Sequence, residues 1–173
     1  MKFAAGSEPR RRAAALQSLA RRADANAIAE LSGLALAQAG APTMDQAVAA
    51  LMQIRDERAH IALLELTRHP ACREAAVTAL TQVGIIAEST LARGLSDPSE
   101  DVRHATVDIL ARMKHNQATK LLSTALADNS PAVRRAAAQA LTRLDLQDAG
   151  VSGRESARSW SRAARVVSMR PGS

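Results

Sequence analysis

The sequence predicts an all-α chain: an α-solenoid, in which antiparallel helix pairs stack into a superhelix. Three observations point there. The segments HPACREAAVTALTQV (69–83), DPSEDVRHATVDILARM (97–113) and DNSPAVRRAAAQALTRL (128–144) lie over one another, aligning Arg73 with Arg103 and Arg134, Ala75 with Ala105 and Ala136, and Leu80 with Leu110 and Leu141. The arginines stand 30 and then 31 residues apart and the leucines keep the same steps, a period that marks stacked helix pairs. Aromatic content is only 1%, with no Tyr, one Phe and one Trp. The core is therefore aliphatic, whereas a β-sandwich or barrel draws on β-branched and aromatic residues. Finally, prolines and capping residues punctuate the chain at the intervals that helix pairs require.

The elements follow in order. Residues 8–39 read as two helices in poor register with the repeat, so 1–42 is expected to be a divergent N-terminal helical cap and 43–148 the repeats proper. After a stop at Gly40 and Pro42, Thr43 and Gln46 have the spacing of a capping box. Leu51 and Ile54 precede Leu80 and Val83 by 29 residues, which marks a weaker first unit. Apolar-periodic stretches at 58–68, 86–95 and 116–127 form the first helices of the later units. Each second helix starts at a proline: Pro70, Pro98 behind a capping Asp97 with Glu100 at the third position, and Pro131 behind Ser130. Cys72, Val102 and Val133 share one column, and Val83, Met113 and Leu144 another. With the Ala and Leu columns these make one inward stripe. Cys72 stands where its counterparts are valine, so it reads as a small buried hydrophobe. As the only cysteine it excludes an internal disulfide and suits a reducing compartment.

Asp97 and Arg103 are six residues apart, and so are Asp128 and Arg134. This Asp…Val-Arg-x-Ala…Leu pattern resembles the second half of HEAT-type repeats, particularly the short form of phycobilisome-lyase-like proteins, over about residues 43–146. The resemblance implies a ladder pairing Asp and Arg of successive repeats, carried over to Asp97, Arg103, Asp128 and Arg134. The unit of Arg73 has Thr67 in place of the Asp. It also implies that the second helices form the usually concave face. Some relatives attach bilin chromophores to phycobiliproteins and others are DNA glycosylases. This chain has no cluster of Trp and Tyr to embrace a tetrapyrrole, and its sole Trp160 lies outside the repeats.

Columns outside the core are where a repeat protein recognises something. Three run at −6, −2 and +2 from the aligned leucine: Glu74, His104 and Arg135; Thr78, Asp108 and Gln139; Gln82, Arg112 and Arg143. Their mixed charge suits a protein partner better than a phosphate-tracking groove, which needs Lys or Arg in most rows. The net charge of +6 is concentrated at the ends: residues 1–23 carry +5 and 149–173 carry +4, leaving the middle at −3. Nucleic acid held by Arg10, Arg11, Arg12 and the C-terminal Arg154, Arg158, Arg162, Arg165 and Arg170 is thus the alternative partner, and a bilin-lyase-type subunit the third reading. In the basic tail 149–173, Ser152 and Glu155 have capping-box spacing. A helix over 153–167 would put Arg154, Arg158 and Arg162 on one stripe and Trp160, Ala164 and Val167 on another. That helix would cap the last repeat or touch a partner.

Signals for catalysis are thin. His60, His69, His104 and His115 include no pair at i,i+4. His104 and Asp108, one turn apart, lack a third ligand, and His69 with Cys72 is explained by a turn and a core position. There is no Gly-rich phosphate loop and no G-x-S-x-G elbow, so no cofactor is expected. No run reaches the roughly 18 apolar residues of a membrane span. The start, MKFAAGSEPRRR, lacks a signal-peptide core and only loosely resembles a transit peptide. The expectation is a cytoplasmic, non-catalytic scaffold or adaptor that binds a protein through its second helices.

Overall fold

The computed structural model describes residues 7–38, 41–113 and 116–144. Among them are nine α-helices and no strand: α1 (Ser7–Arg22), α2 (Ala25–Ala37), α3 (Pro42–Gln53), α4 (Glu57–Leu66), α5 (Pro70–Val83), α6 (Glu88–Leu95), α7 (Glu100–Arg112), α8 (Asn116–Ala125) and α9 (131–144), with one 3-10 turn at Gly84–Ala87. The tail helix expected over 153–167, the C-terminal arginines and His115 lie outside the described residues. Helices α1, α3, α5 and α7 pack side by side in one layer, and α2, α4 and α6 form the other. Each of α2, α4 and α6 packs on the helix that follows it. Ser130 Oγ donates to Glu100 Oε1 at 2.7 Å and Arg143 Nη2 to the Ala111 carbonyl at 3.3 Å, tying α9 to α7. This is an α-solenoid of stacked helix pairs. The first pair is α2–α3, so the pairing crosses the boundary expected at 42/43, and α1 covers the free flank of α3.

Local chemistry sets the starts of these helices, and two differ from expectation. Pro70 opens α5 and Ser130 caps α9, its Oγ accepting from Ala132 N at 3.2 Å, as their sequences imply. Thr43 is not a cap. Helix α3 already begins at Pro42, and the buried Thr43 Oγ1 accepts from Arg12 Nη1 at 3.0 Å, joining α1 to α3. Nor does Asp97 cap α7, which starts at Glu100 after Ser99. Its carboxylate instead accepts from Ser99 N at 2.8 Å within the turn, and from Arg68 of the preceding repeat at 2.7 Å.

One continuous apolar core runs from Leu16 to Leu144. Along the first helices of the later pairs it is built on columns of like residues, Ala59 and Leu63 of α4, Ala87 and Leu91 at the start of and within α6, and Ala118 and Leu122 of α8, all fully buried. Cys72, Val102 and Val133 are buried as one column too. Alanine at these positions lets helix axes approach closely. A close approach occurs at Gly94 in α6, where a Cβ would collide with Thr106 Oγ1 of α7 and lie 3.2 Å from both terminal methyls of Leu64 in α4. Elsewhere, Gly→Ala inside a helix is favourable by roughly 1 kcal/mol. Here overpacking wins: Gly94→Ala should lower stability by about 1–3 kcal/mol, read as an earlier urea midpoint.

His60 is 4% exposed in α4, and burial pulls its pKa below the ordinary imidazole value, against the opposing pull of Asp56 and Glu57. The unfolded chain therefore binds this proton more readily than the folded one. The contribution is complete above about pH 6.5 and is lost as pH falls through the folded pKa below it. Between about pH 5 and 6.5, the stability of His60→Leu should fall less steeply than that of the parent. Parallel slopes in urea titrations across that window would refute this.

Candidate binding face

In the three later pairs, α4–α5, α6–α7 and α8–α9, the turn between the helices is held by an arginine. Arg73 Nε donates to the Thr67 carbonyl at 3.0 Å, Arg103 Nη1 to the Asp97 carbonyl at 2.9 Å, and Arg134 Nη1 to the Asp128 carbonyl at 2.7 Å. The acceptor is backbone in every case, so Thr67 serves as well as aspartate. Side-chain pairing between repeats is less regular than the ladder the resemblance implies. Arg103 grips Asp128 with two hydrogen bonds, Nε–Oδ2 at 2.8 Å and Nη2–Oδ1 at 3.1 Å, with the two side chains only 15% and 8% exposed. Asp97 is taken by Arg68 rather than Arg73, which reaches Asp101 at 3.3 Å. Asp128, already gripped by Arg103, also feels the charge of Arg134. The Arg103 guanidinium, followed by the Ser130 amide, holds the Asp128 carboxyl below the usual carboxylate range.

With the turns fixed, the second helices place their outward columns in rows. Glu74, Thr78 and Gln82 on α5, Arg112 on α7, and Arg135, Gln139 and Arg143 on α9 are exposed; His104 and Asp108 are half-buried. Arg112 reaches back from α7 to α5 and holds Glu74 with two hydrogen bonds, Nη1–Oε1 at 2.7 Å and Nη2–Oε2 at 3.2 Å. That pairing draws the Glu74 carboxyl below its usual range. His104 Nδ1 lies 3.5 Å from Asp108 Oδ2, an intrahelical pair. Among the described residues, no group of three or more His, Cys, Asp and Glu is placed to hold a metal ion.

The rows extend one helix further than the three aligned segments. The 29-residue offset that relates Leu51 to Leu80 also relates Asp45 to Glu74, Ala49 to Thr78 and Gln53 to Gln82, and all three residues of α3 are exposed. Between α3 and α5 runs a groove of about 420 Å³. Met44, Val48, Met52, Ala75 and Ala79 form its floor, and Asp45, Glu74, Thr78 and Gln82 its rim. The column Asp45, Glu74, His104, Arg135 thus passes from acidic to basic along the stack. A second groove, of about 780 Å³, opens between α6 and α8 around the Arg103–Asp128 pair, whose polar atoms already satisfy one another. The N-terminal Arg10, Arg11 and Arg12 are all exposed, and Arg12 also donates to Thr43.

Residues 88–151, from the start of α6 to seven residues past the end of α9, match the family model for HEAT repeats. Over that stretch the chain resembles HEAT repeats. The match is to HEAT repeats at large and does not single out the phycobilisome-lyase-like form. HEAT repeats commonly serve as protein–protein interaction scaffolds. No curated protein matches the chain significantly. No helix among the described residues is long and apolar enough to cross a membrane.

Two arginine pairs that join successive repeats, Arg103–Asp128 and Arg112–Glu74, should behave differently. Arg103 is enclosed and also serves the turn carbonyls, so Arg103→Ala leaves an acid and two carbonyls short of a partner and should cost about 2–3 kcal/mol. The Arg112–Glu74 pair is open to water, and Arg112→Ala should cost less than about 1 kcal/mol. Equal melting temperatures for the two variants would refute the assignment of Arg103 as the structural pair.

Proposed function

We propose that this protein is a non-catalytic scaffold or adaptor that binds another protein across the face of α3, α5, α7 and α9. The observation that carries this reading is the α3–α5 groove, an apolar floor inside a polar rim that continues into the exposed rows of α7 and α9. That arrangement is the anatomy of a protein interface. A groove tracking phosphates needs cations in most rows, whereas the columns of α3 and α5 offer Asp45, Ala49, Gln53, Glu74, Thr78 and Gln82 and no Lys or Arg. In this reading the groove takes apolar side chains of the partner, and the charged column from Asp45 to Arg135 sets its direction.

Tagged full-length protein, purified from its native cell with nuclease present, should retain a defined protein. Thr78→Arg at the groove rim should weaken that retention at least tenfold, about 1.4 kcal/mol. Ala29→Arg, exposed on α2 in the opposite layer, should not. Equal retention by the two variants would exclude this face. Material lost with nuclease alone would transfer the function to Arg10, Arg11, Arg12 and the C-terminal arginines.

A further inference from the structure

The α3–α5 groove restricts the shape of what can lie in it. Its walls are helices, whose backbone groups bond within themselves, and the described residues contain no strand edge. An extended peptide laid there would hold its own N–H and C=O groups against an apolar floor, without partners. Polyproline segments are read by grooves lined with aromatic rings, and no aromatic residue lines this one. A helix arrives with its backbone already satisfied.

The dimensions and the charge suit a helix too. Met44, Val48 and Met52 recur at every fourth residue of α3, a run of about 12 Å, and helical anchors at i, i+4 and i+7 span about 10.5 Å. On the facing wall Ala75 and Ala79 are small enough to let a third helix come close, and the two methionines adapt to what they meet. Helices α3 and α5 run parallel. Cys72, in the first turn of α5, has its Sγ 3.7 Å from the Ala35 carbonyl at the end of α2, and a short turn leads from there into α3. Asp45 and Glu74 therefore share the end of the groove where both helices start, and Gln53 and Gln82 share the other. Glu74 is held by Arg112, whereas Asp45 forms no ion pair among the described residues. Asp45 is thus the open anion of the rim.

We propose that the occupant of this groove is one amphipathic helix of the partner protein, an inference that rests on the partner reading above. It lies antiparallel to α3 and α5, with apolar residues at i, i+4 and i+7 on the floor and a Lys or Arg of its last turn on Asp45. In that direction its negative C-terminal end meets the positive N-terminal ends of α3 and α5, and the basic residue complements its own helix dipole as well.

The probe is a displayed library of random peptides, about 16 residues or some four turns long, selected on the full-length chain. Enriched sequences should carry apolar residues at i, i+4 and i+7 followed by Lys or Arg, and synthetic copies should gain helical circular dichroism on binding. Thr78→Arg should weaken them at least tenfold. Selection on Asp45→Lys should turn the terminal preference to Asp or Glu. If that variant loses helical signal, Asp45→Asn should still erase the preference. The proposal is overturned by a library that yields no binder, by enriched sequences that are Pro-rich or alternate in polarity, or by a basic preference that survives substitution of Asp45. A dimer in sedimentation that Thr78→Arg dissolves overturns it as well, since a second copy would then fill the groove. In each case, native-partner retention that still depends on Thr78 preserves the scaffold reading and removes only the helix, while retention indifferent to Thr78 removes both.

Discussion

In a stack of helix pairs each unit touches only its neighbours, so an angle set in one turn is passed along the whole array. Here that angle is held, in the three later pairs, by an arginine near the start of the second helix, donating back to a carbonyl six residues earlier: Arg73 to Thr67, Arg103 to Asp97, Arg134 to Asp128. These carbonyls sit in the turn, where a backbone acceptor must otherwise find water or another donor. A guanidinium suits the task because its planar fork serves two acceptors at once, as Arg103 does with Asp97 and Pro98, and Arg134 with Asp128 and Asn129. The outward columns of the second helices line up as rows only because the turns repeat. The binding face therefore depends on contacts made at the edge of the molecule, away from the face itself.

The clamp fixes the turns, and small side chains then let the layers close. Ala59, Ala87 and Ala118 occupy one buried column, and Gly94 admits Thr106 and Leu64 where no Cβ fits. A core with so little aromatic volume gains its stability from many short-range contacts between closely spaced helices, and for that reason each site tolerates little added bulk. The turns adjust to this spacing. Ala59 to Ala87 is a step of 28 residues and Ala87 to Ala118 a step of 31, while the arginines of the second helices advance by 30 and 31. The difference is absorbed between the helices, where the α4–α5 turn is shorter than those of the later pairs.

Repeat alignment made the second helices legible, because Arg, Ala and Leu recur at fixed offsets that only a helix with one buried stripe explains. It also placed Glu74, His104, Arg135 and the two companion columns on one surface. Asp45, Ala49 and Gln53 were implied by the same 29-residue offset, but α3 lacks the Arg-x-Ala signature that draws attention to the others. Asp97 illustrates a different difficulty. An aspartate before a proline has a local use as a cap, yet Arg68 from the preceding repeat and the Ser99 amide claim its oxygens, and neither claim is visible in spacing alone. The Arg112–Glu74 bridge, joining residues 38 positions apart, depends on the stagger of α5 against α7. The α2–α3 pair was obscured because its first helix resembles the later ones in burial rather than in sequence.

The lone cysteine has a use that its packing creates. Cys72 has no exposed surface, its Sγ lies 3.7 Å from the Ala35 carbonyl, and burial pushes the thiol pKa above its ordinary value. Reagents attack the thiolate, so the side chain is sealed against them twice over, by access and by protonation. It reacts only during excursions in which α5 parts from α2, and the slow labelling rate then counts those excursions. The native chain thus carries a built-in clock for the opening of its N-terminal half, readable without any engineered probe.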